Sequence, residues 1–150
     1  MIEDHKIISS NPTLDNFLTS SKLNYEINAR AVEKLFTEFI GHSNNFTSIS
    51  FVDYLGSEKI RVDKELGRIK SYRNLKKMDI FKELDSNVRG KIGLSVPYIN
   101  ENGEVQVTTG VNVIDEDIGE FGGAVLLEFS FQEFMKSLNK IKIYGVNAVW

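Results

Sequence analysis

The sequence contains no cysteine, which excludes disulfide staples, a thiolate nucleophile and thiolate metal sites together. Proline is almost as scarce, at Pro12 and Pro97 only. The two histidines, His5 and His42, stand far apart with no acidic residue at ligand spacing, a poor basis for a metal site. No run of eighteen apolar residues occurs, so no membrane span is read, and Met1 does not open a signal peptide. Excess charge is lacking too. The net charge is -3 with basic residues scattered, which disfavours nucleic acid and anionic membranes as partners. Even the densest basic stretch, Lys70 to Lys77, reads as a solvated loop. Catalytic signatures are missing as well: there is no Gly-x-Ser-x-Gly elbow and no Gly-rich phosphate loop before a helix. Gly119 to Gly123 precedes a strand, the wrong context for phosphate. Asp115-Glu116-Asp117 lacks the twelve-residue calcium pattern and reads as a solvated turn. The chain is read as a non-enzyme without a cofactor.

What is present suits one packed domain. In 150 residues, 41% are apolar and 11% aromatic, compatible with burying roughly two-thirds of the unfolded surface. Asn11-Pro12 starts a helix, with Asn as cap and Pro where its missing N–H costs nothing. Leu14, Phe17 and Leu18 share a face, and the polar stretch Thr19 to Asn24 loosens or breaks the helix. Val32, Leu35, Phe36, Phe39 and Ile40 then form an amphipathic stripe ended by Gly41 and Ser43-Asn44-Asn45. The N-terminal region is therefore expected to be a long helical lead into a sheet.

Period-two alternation follows. Thr47 to Val52 and Glu58 to Asp63 read as a hairpin around the turn Asp53-Tyr54-Leu55-Gly56. In the second strand Arg61 lies opposite Ile60 and Val62, placed for a salt bridge with Asp53 or Asp63, or for a ligand. Lys64 to Lys77 reads as a loop with short structured pieces, and Met78, Ile80, Phe81 and Leu84 as a short helix. Gly90 to Ile99 is a third strand interrupted by Pro97, and Asn102-Gly103 a hairpin turn in which both residues tolerate positive φ. Val105 to Val113 alternates as a long half-buried strand in which Gly110 signals a close approach or a bulge. Ala124 to Phe129, apolar on both faces, is a central strand. Ser130 to Glu133 is a capping box with Phe129 and Phe134 as its hydrophobic staple. Five antiparallel strands flanked by helices make an α+β fold. Ile141 to Trp150 alternates like a strand without its turn, so the chain is expected to be a fragment of a longer protein.

That order of elements resembles the PAS-like extracytoplasmic sensor domains called Cache, in particular the membrane-distal lobe of double Cache domains. The residues carrying the resemblance are Ile49 to Asp53 with Gly56 and Glu58 to Val62, Ile80 to Leu84, Gly90 to Ser95 with Asn100 to Gly103, and Gly122 to Leu127. The resemblance implies a PAS-like five-stranded sheet with a long N-terminal helix, residues 1–140 forming the distal lobe. Residues 141–150 would be a linker or the first strand of a truncated second lobe. It further implies the periplasmic part of an inner-membrane receptor whose output is a diguanylate cyclase, histidine kinase or chemoreceptor outside this chain. A homodimer through the N-terminal helix is expected. Alternatives are a lobe that binds nothing and serves structure or dimerisation, and a cytosolic PAS-like regulatory domain.

In such domains the pocket lies between the sheet and the segment after the second strand. On that basis the expected ligand-binding residues are Tyr72, Arg73, Asp79, Phe81, Tyr98, Thr108, Asn112 and Glu128. Arg73 would clamp a carboxylate through two parallel hydrogen bonds, and an aromatic would cover an apolar or cationic part. The expected partner is a small organic acid or amino-acid-like metabolite. The amino-acid-binding branch carries Trp two residues after its Arg, where Leu75 stands here.

Overall fold

The computed structural model describes residues 2–43, 45–70 and 73–143. In chain order the elements are α1 (Ile2–Ser9), α2 (Pro12–Leu18), α3 (Tyr25–Gly41), β1 (Ser48–Asp53), β2 (Glu58–Asp63), β3 (Gly67–Ile69), α4 (Asp79–Leu84), β4 (Ile92–Leu94), β5 (Tyr98–Ile99), β6 (Val105–Asp115), β7 (Glu120–Ser130) and α5 (Phe131–Ile143). All strand pairs are antiparallel, in the order β3-β2-β1-β7-β6-β4, with β5 also paired to β6.

The α+β architecture agrees with the sequence reading, but the sheet has seven strands rather than five. One extra strand, β3, is only three residues long, too short to show alternation. The other arises because the segment around Pro97 does not pair, which divides one expected strand into β4 and β5. The expected long N-terminal helix is instead three helices, the longest of 17 residues. Asn11 caps α2 by accepting from the Thr13 N–H at 3.0 Å, and Thr19 and Ser20 turn their hydroxyls back onto the Asp15 and Asn16 carbonyls where that helix stops.

Two layers cover the sheet. On one face Ile49, Phe51, Val107, Val111, Val125 and Leu127 pack against Ile8 of α1, Leu14 and Phe17 of α2, and Val32, Phe36 and Ile40 of α3. His5 joins this layer: it is 1% exposed and its Nε2 lies 2.9 Å from Thr109 Oγ1. The Thr109 hydroxyl donates to the Gly93 carbonyl at 3.1 Å, so the imidazole is the donor in the first bond. On the other face Val52, Ala124 and Leu126 meet Ile80, Phe81 and Leu84 of α4, together with Leu75. Burying each of these aliphatic side chains contributes on the order of 2 kcal/mol.

The reading of β6 as half-buried is corrected: Gln106 through Ile114 are buried on both faces. The turn before it is also different in detail, since Gly103 alone takes positive φ (78°), in a type I turn closed by Gly103 N–H to Asn100 O at 3.0 Å. The serine half of the capping box is as expected, with the Glu133 N–H on Ser130 Oγ at 3.1 Å and the Phe129 and Phe134 rings 5.6 Å apart, while Glu133 Oε1 accepts from Lys136 Nζ at 3.1 Å. Helix α5 continues to Ile143, past the start expected for a linker or new strand, and 144–150 lie outside the described residues. No helix among the described residues is long and apolar enough to cross a membrane.

At Gly110 the sheet leaves no room for a side chain beneath α4. A Cβ there would stand 2.6 Å from Leu126 Cδ2 and 2.8 Å from Leu84 Cδ1. Gly110→Ala should therefore cost about 1–3 kcal/mol through overpacking, read as a lower urea midpoint. An unchanged midpoint would show that α4 does not seat against this strand.

Candidate ligand site

The sheet face beneath α4 is apolar at one end and polar at the other. Strand register decides this: Ser48 pairs with Glu128 and Glu128 with Thr108, while Val52 pairs with Ala124. Alternation alone would put Glu58 on the helix-covered face with Ile60 and Val62. A bulge changes that, because Phe51 pairs with Ile60 but Val52 with Glu58, leaving Lys59 unpaired. Glu58 is thereby turned to the polar face.

After β3 the chain returns beside β2, and three contacts fasten it there. Glu58 N–H donates to the Arg73 carbonyl at 3.0 Å, Leu75 N–H to Gly56 O at 2.7 Å, and Ser57 and Asn74 form a bridge. Arg73 is thus held over Glu58. Its Nε lies 3.2 and 3.3 Å from the two Glu58 oxygens and its Nη2 2.6 Å from Oε2, while Nη2 also reaches Glu128 Oε1 at 3.0 Å. The second Glu128 oxygen accepts from Ser48 Oγ at 3.1 Å and meets Arg61 Nη2 at 3.5 Å. Two guanidinium groups and two carboxylates form one network. Glu58 is fully buried within it. Burial opposes the charge of Arg73, but the hydrogen bonds it donates to Glu58 and the fields of Glu128 and Glu58 outweigh it and push the guanidinium pKa above its ordinary value.

Tyr98 stands beside this network, its Oη 2.8 Å from Thr108 Oγ1. Burial, then the negative charge of Glu128, pushes its phenol up from the ordinary value. Outward of the network opens a cleft of about 790 Å³. Ser48, Arg61, Gln106 and Glu128 line its inner part, with the β2–β3 turn (Asp63 to Leu66), the β5–β6 turn (Asn100, Asn102, Glu104) and the start of α5 around it. Three buried polar atoms find no hydrogen-bond partner among the described residues, namely Ser50 Oγ, Arg61 Nε and Gln106 Oε1, and all three belong to this polar face. Such an atom costs roughly 1–3 kcal/mol when left unmatched, so their grouping marks where a polar molecule would gain most.

Of the expected site residues, Arg73, Tyr98, Thr108 and Glu128 are brought together, Glu128 alone of them lining the cleft. Three others are not. Phe81 is 2% exposed and packs edge-on against Phe121 at 5.7 Å. Asn112 fastens the loop after α4, donating to the Ser86 and Val88 carbonyls at 2.9 and 2.6 Å and accepting from Lys91 N–H at 2.9 Å. Asp79 is exposed in the first turn of α4. Tyr72 lies outside the described residues. Arg61 pairs with Glu128 and not with Asp53 or Asp63; Asp53 instead meets Lys59 at 3.6 Å. The sequence reading missed Glu58 as a site residue, along with Ser48, Ser50 and Gln106. Only the last three follow from alternation once the buried face is known.

No family model matches the sequence, and no curated protein matches it. Solved structures do match in fold. The extracellular domain described as that of a histidine kinase, vpHK1S-Z8, superposes with a TM-score of 0.75 at 15% identity, over 91% of this chain and 51% of its own. A domain described as sensory box/GGDEF from Vibrio parahaemolyticus gives 0.73 at 17% identity, over 91% of this chain and 53% of its own. The sensory domain of the Campylobacter jejuni chemoreceptor Tlp3, solved with isoleucine bound, gives 0.63 at 16% identity, over 87% and 49%. The chain thus has the fold of bacterial sensory domains, as the resemblance implied, and spans about half the length of the structures it matches.

Two predictions follow from the network. Arg73→Ala leaves the buried Glu58 carboxylate unpaired and should destabilise the fold by about 3–5 kcal/mol. The double variant Glu58→Gln/Arg73→Met should recover much of that loss in chemical denaturation; equal loss in both would show the pair is not coupled. For Tyr98 the sign is set by its raised pKa. The folded state holds the phenolic proton more tightly than the unfolded chain, so this contribution is complete below the ordinary value of 10.0 and lost as pH rises through the folded value. Unfolding free energy measured between pH 9 and about 11.5 should therefore fall more steeply in the wild type than in Tyr98→Phe. Parallel curves would contradict the assignment.

Proposed function

We propose that this chain is a ligand-sensing, non-catalytic lobe of a Cache-type transmembrane signalling receptor. It would be carried outside the cytoplasm, with the output domain elsewhere in the protein. A small polar metabolite would sit in the cleft against Arg61, Gln106 and Glu128. Behind them Arg73, Tyr98 and Thr108 would position the Glu128 carboxylate. The observation that carries this reading is that two residues with unmatched buried polar atoms, Arg61 and Gln106, line one cleft, in a fold shared with sensory domains. The isoleucine-bound chemoreceptor domain of the same fold supports it by likeness alone.

Binding would join the β2–β3 turn, the β5–β6 turn and the first turn of α5, since all three line the cleft. A ligand that prefers one spacing of these segments shifts the population by its difference in affinity, and α5 is the element placed to carry that bias onward. A second reading, a structural or dimerisation lobe that binds nothing, is favoured by one observation: the Arg73 guanidinium is already closed by Glu58 and Glu128.

Thermal-shift screening with amino acids, amines and organic acids separates the two. A true ligand at a hundred times its dissociation constant adds about 2.7 kcal/mol to stability, a shift of several degrees in a domain of this size. A response lost in Arg61→Ala while the unliganded melting curve stays cooperative places the ligand in the cleft. No response across the panel favours the structural lobe.

A further inference from the structure

The cleft carries little positive charge that is free to receive an anion. Lys64 turns its ammonium onto the Ser43 carbonyl. Arg61 directs Nη2 at Glu128, and Arg73 holds Glu58 and Glu128 from behind. The anionic side chains lining the same cleft are Asp63, Glu65, Glu104 and Glu128. A carboxylate entering here would meet an unfavourable field, whereas an ammonium ion would be drawn in and desolvated among acceptors.

A second observation names the acceptor. Gln106 is only 4% exposed and lines the cleft, and its Oε1 has no hydrogen-bond partner among the described residues. The amide orientation has a physical reason: Nε2 donates to Glu104 Oε2 at 3.5 Å, and the flipped amide would set oxygen against oxygen. Gln106 Oε1 therefore offers two lone pairs beside carboxylates. Among the described residues the unmatched buried nitrogen donor on the same face is Arg61 Nε–H, which suits a neutral oxygen of the ligand.

Resting on the sensing role proposed above, we infer that the cleft takes a small organic ammonium ion. Its N–H groups donate to Gln106 Oε1 in the field of Glu104 and Glu128, and a hydroxyl or carbonyl oxygen accepts from Arg61 Nε–H. Glu58 keeps Arg73 engaged behind the cleft. Its carboxylate occupies the edge of Arg73 that a ligand carboxylate would need, so the fork that could clamp an acid is already filled from within the chain.

The test is calorimetric and thermal-shift titration of the protein with matched probes. Ethanolamine, 1,4-diaminobutane and choline supply the cation; glycolate, acetate and succinate supply the acid; valine and isoleucine supply both. At least one of the first group should raise the melting temperature and the simple acids should not. Glu104→Gln, at an exposed position that puts the fold at no risk, should weaken the amine severalfold. Gln106→Leu should weaken it about tenfold, the loss of one buried hydrogen bond. If acids or zwitterions stabilise the protein and no amine does, the ammonium inference is overturned while the sensing role stands. If an amine binds but neither Glu104→Gln nor Gln106→Leu changes its affinity, the placement is overturned. If the amines and the wider metabolite screen are both silent, the inference and the sensing role fall together.

Discussion

The structure depends on one constraint: β6 and β7 are eleven residues long and lie side by side, and each buries both of its faces over nearly its whole length. A ladder of that kind needs a layer on either side, because its apolar side chains point both ways. The first three helices supply one layer and draw Val107, Val111, Val125 and Leu127 into a core. The second layer is shorter. Helix α4 has six residues and covers only the end of the face that presents Val52, Ala124 and Leu126.

What remains beyond α4 is the origin of the candidate site. There the same strands carry Ser48, Ser50, Thr108 and Glu128, which no apolar helix could cover without orphaning them. The chain brings Arg73 and Arg61 to Glu58 and Glu128, so opposed charges satisfy one another at the inner end. The outer end stays polar and open as the cleft. A buried ion network of this kind adds little net stability compared with an apolar core of equal volume. It does hold several side chains in fixed positions, which a recognition surface requires.

Much of this was legible in the chain. The stripe of α3, the hairpin of β1 and β2, the centrality of β7, the close approach at Gly110 and the capping box at Ser130 all come from periodicities and local hydrogen-bond chemistry that act within a few residues. Arg73, Tyr98, Thr108 and Glu128 were also singled out from resemblance; they lie side by side, with Glu128 alone of them lining the cleft. Glu58 was not. Its place depends on a bulge at Lys59, which reverses the face that alternation assigns, and no local pattern announces such a bulge. Phe81 and Asn112 serve the fold instead, Phe81 as the inward face of α4 and Asn112 as the tie that holds the loop after it, and neither use differs in residue type from a pocket role.

The sequence by itself determined the class of architecture: antiparallel strands with helices beside them, stripes that seek a core, and the exclusion of disulfide and thiolate chemistry by the absence of cysteine. Those properties are set by neighbours in the chain. Only the tertiary structure decided which charges meet. Glu58 lies 15 residues from Arg73, and Arg73 lies 55 from Glu128. Whether that arginine faces a ligand or a carboxylate of its own chain depends on the register of three strands, and register is a property of the assembled sheet.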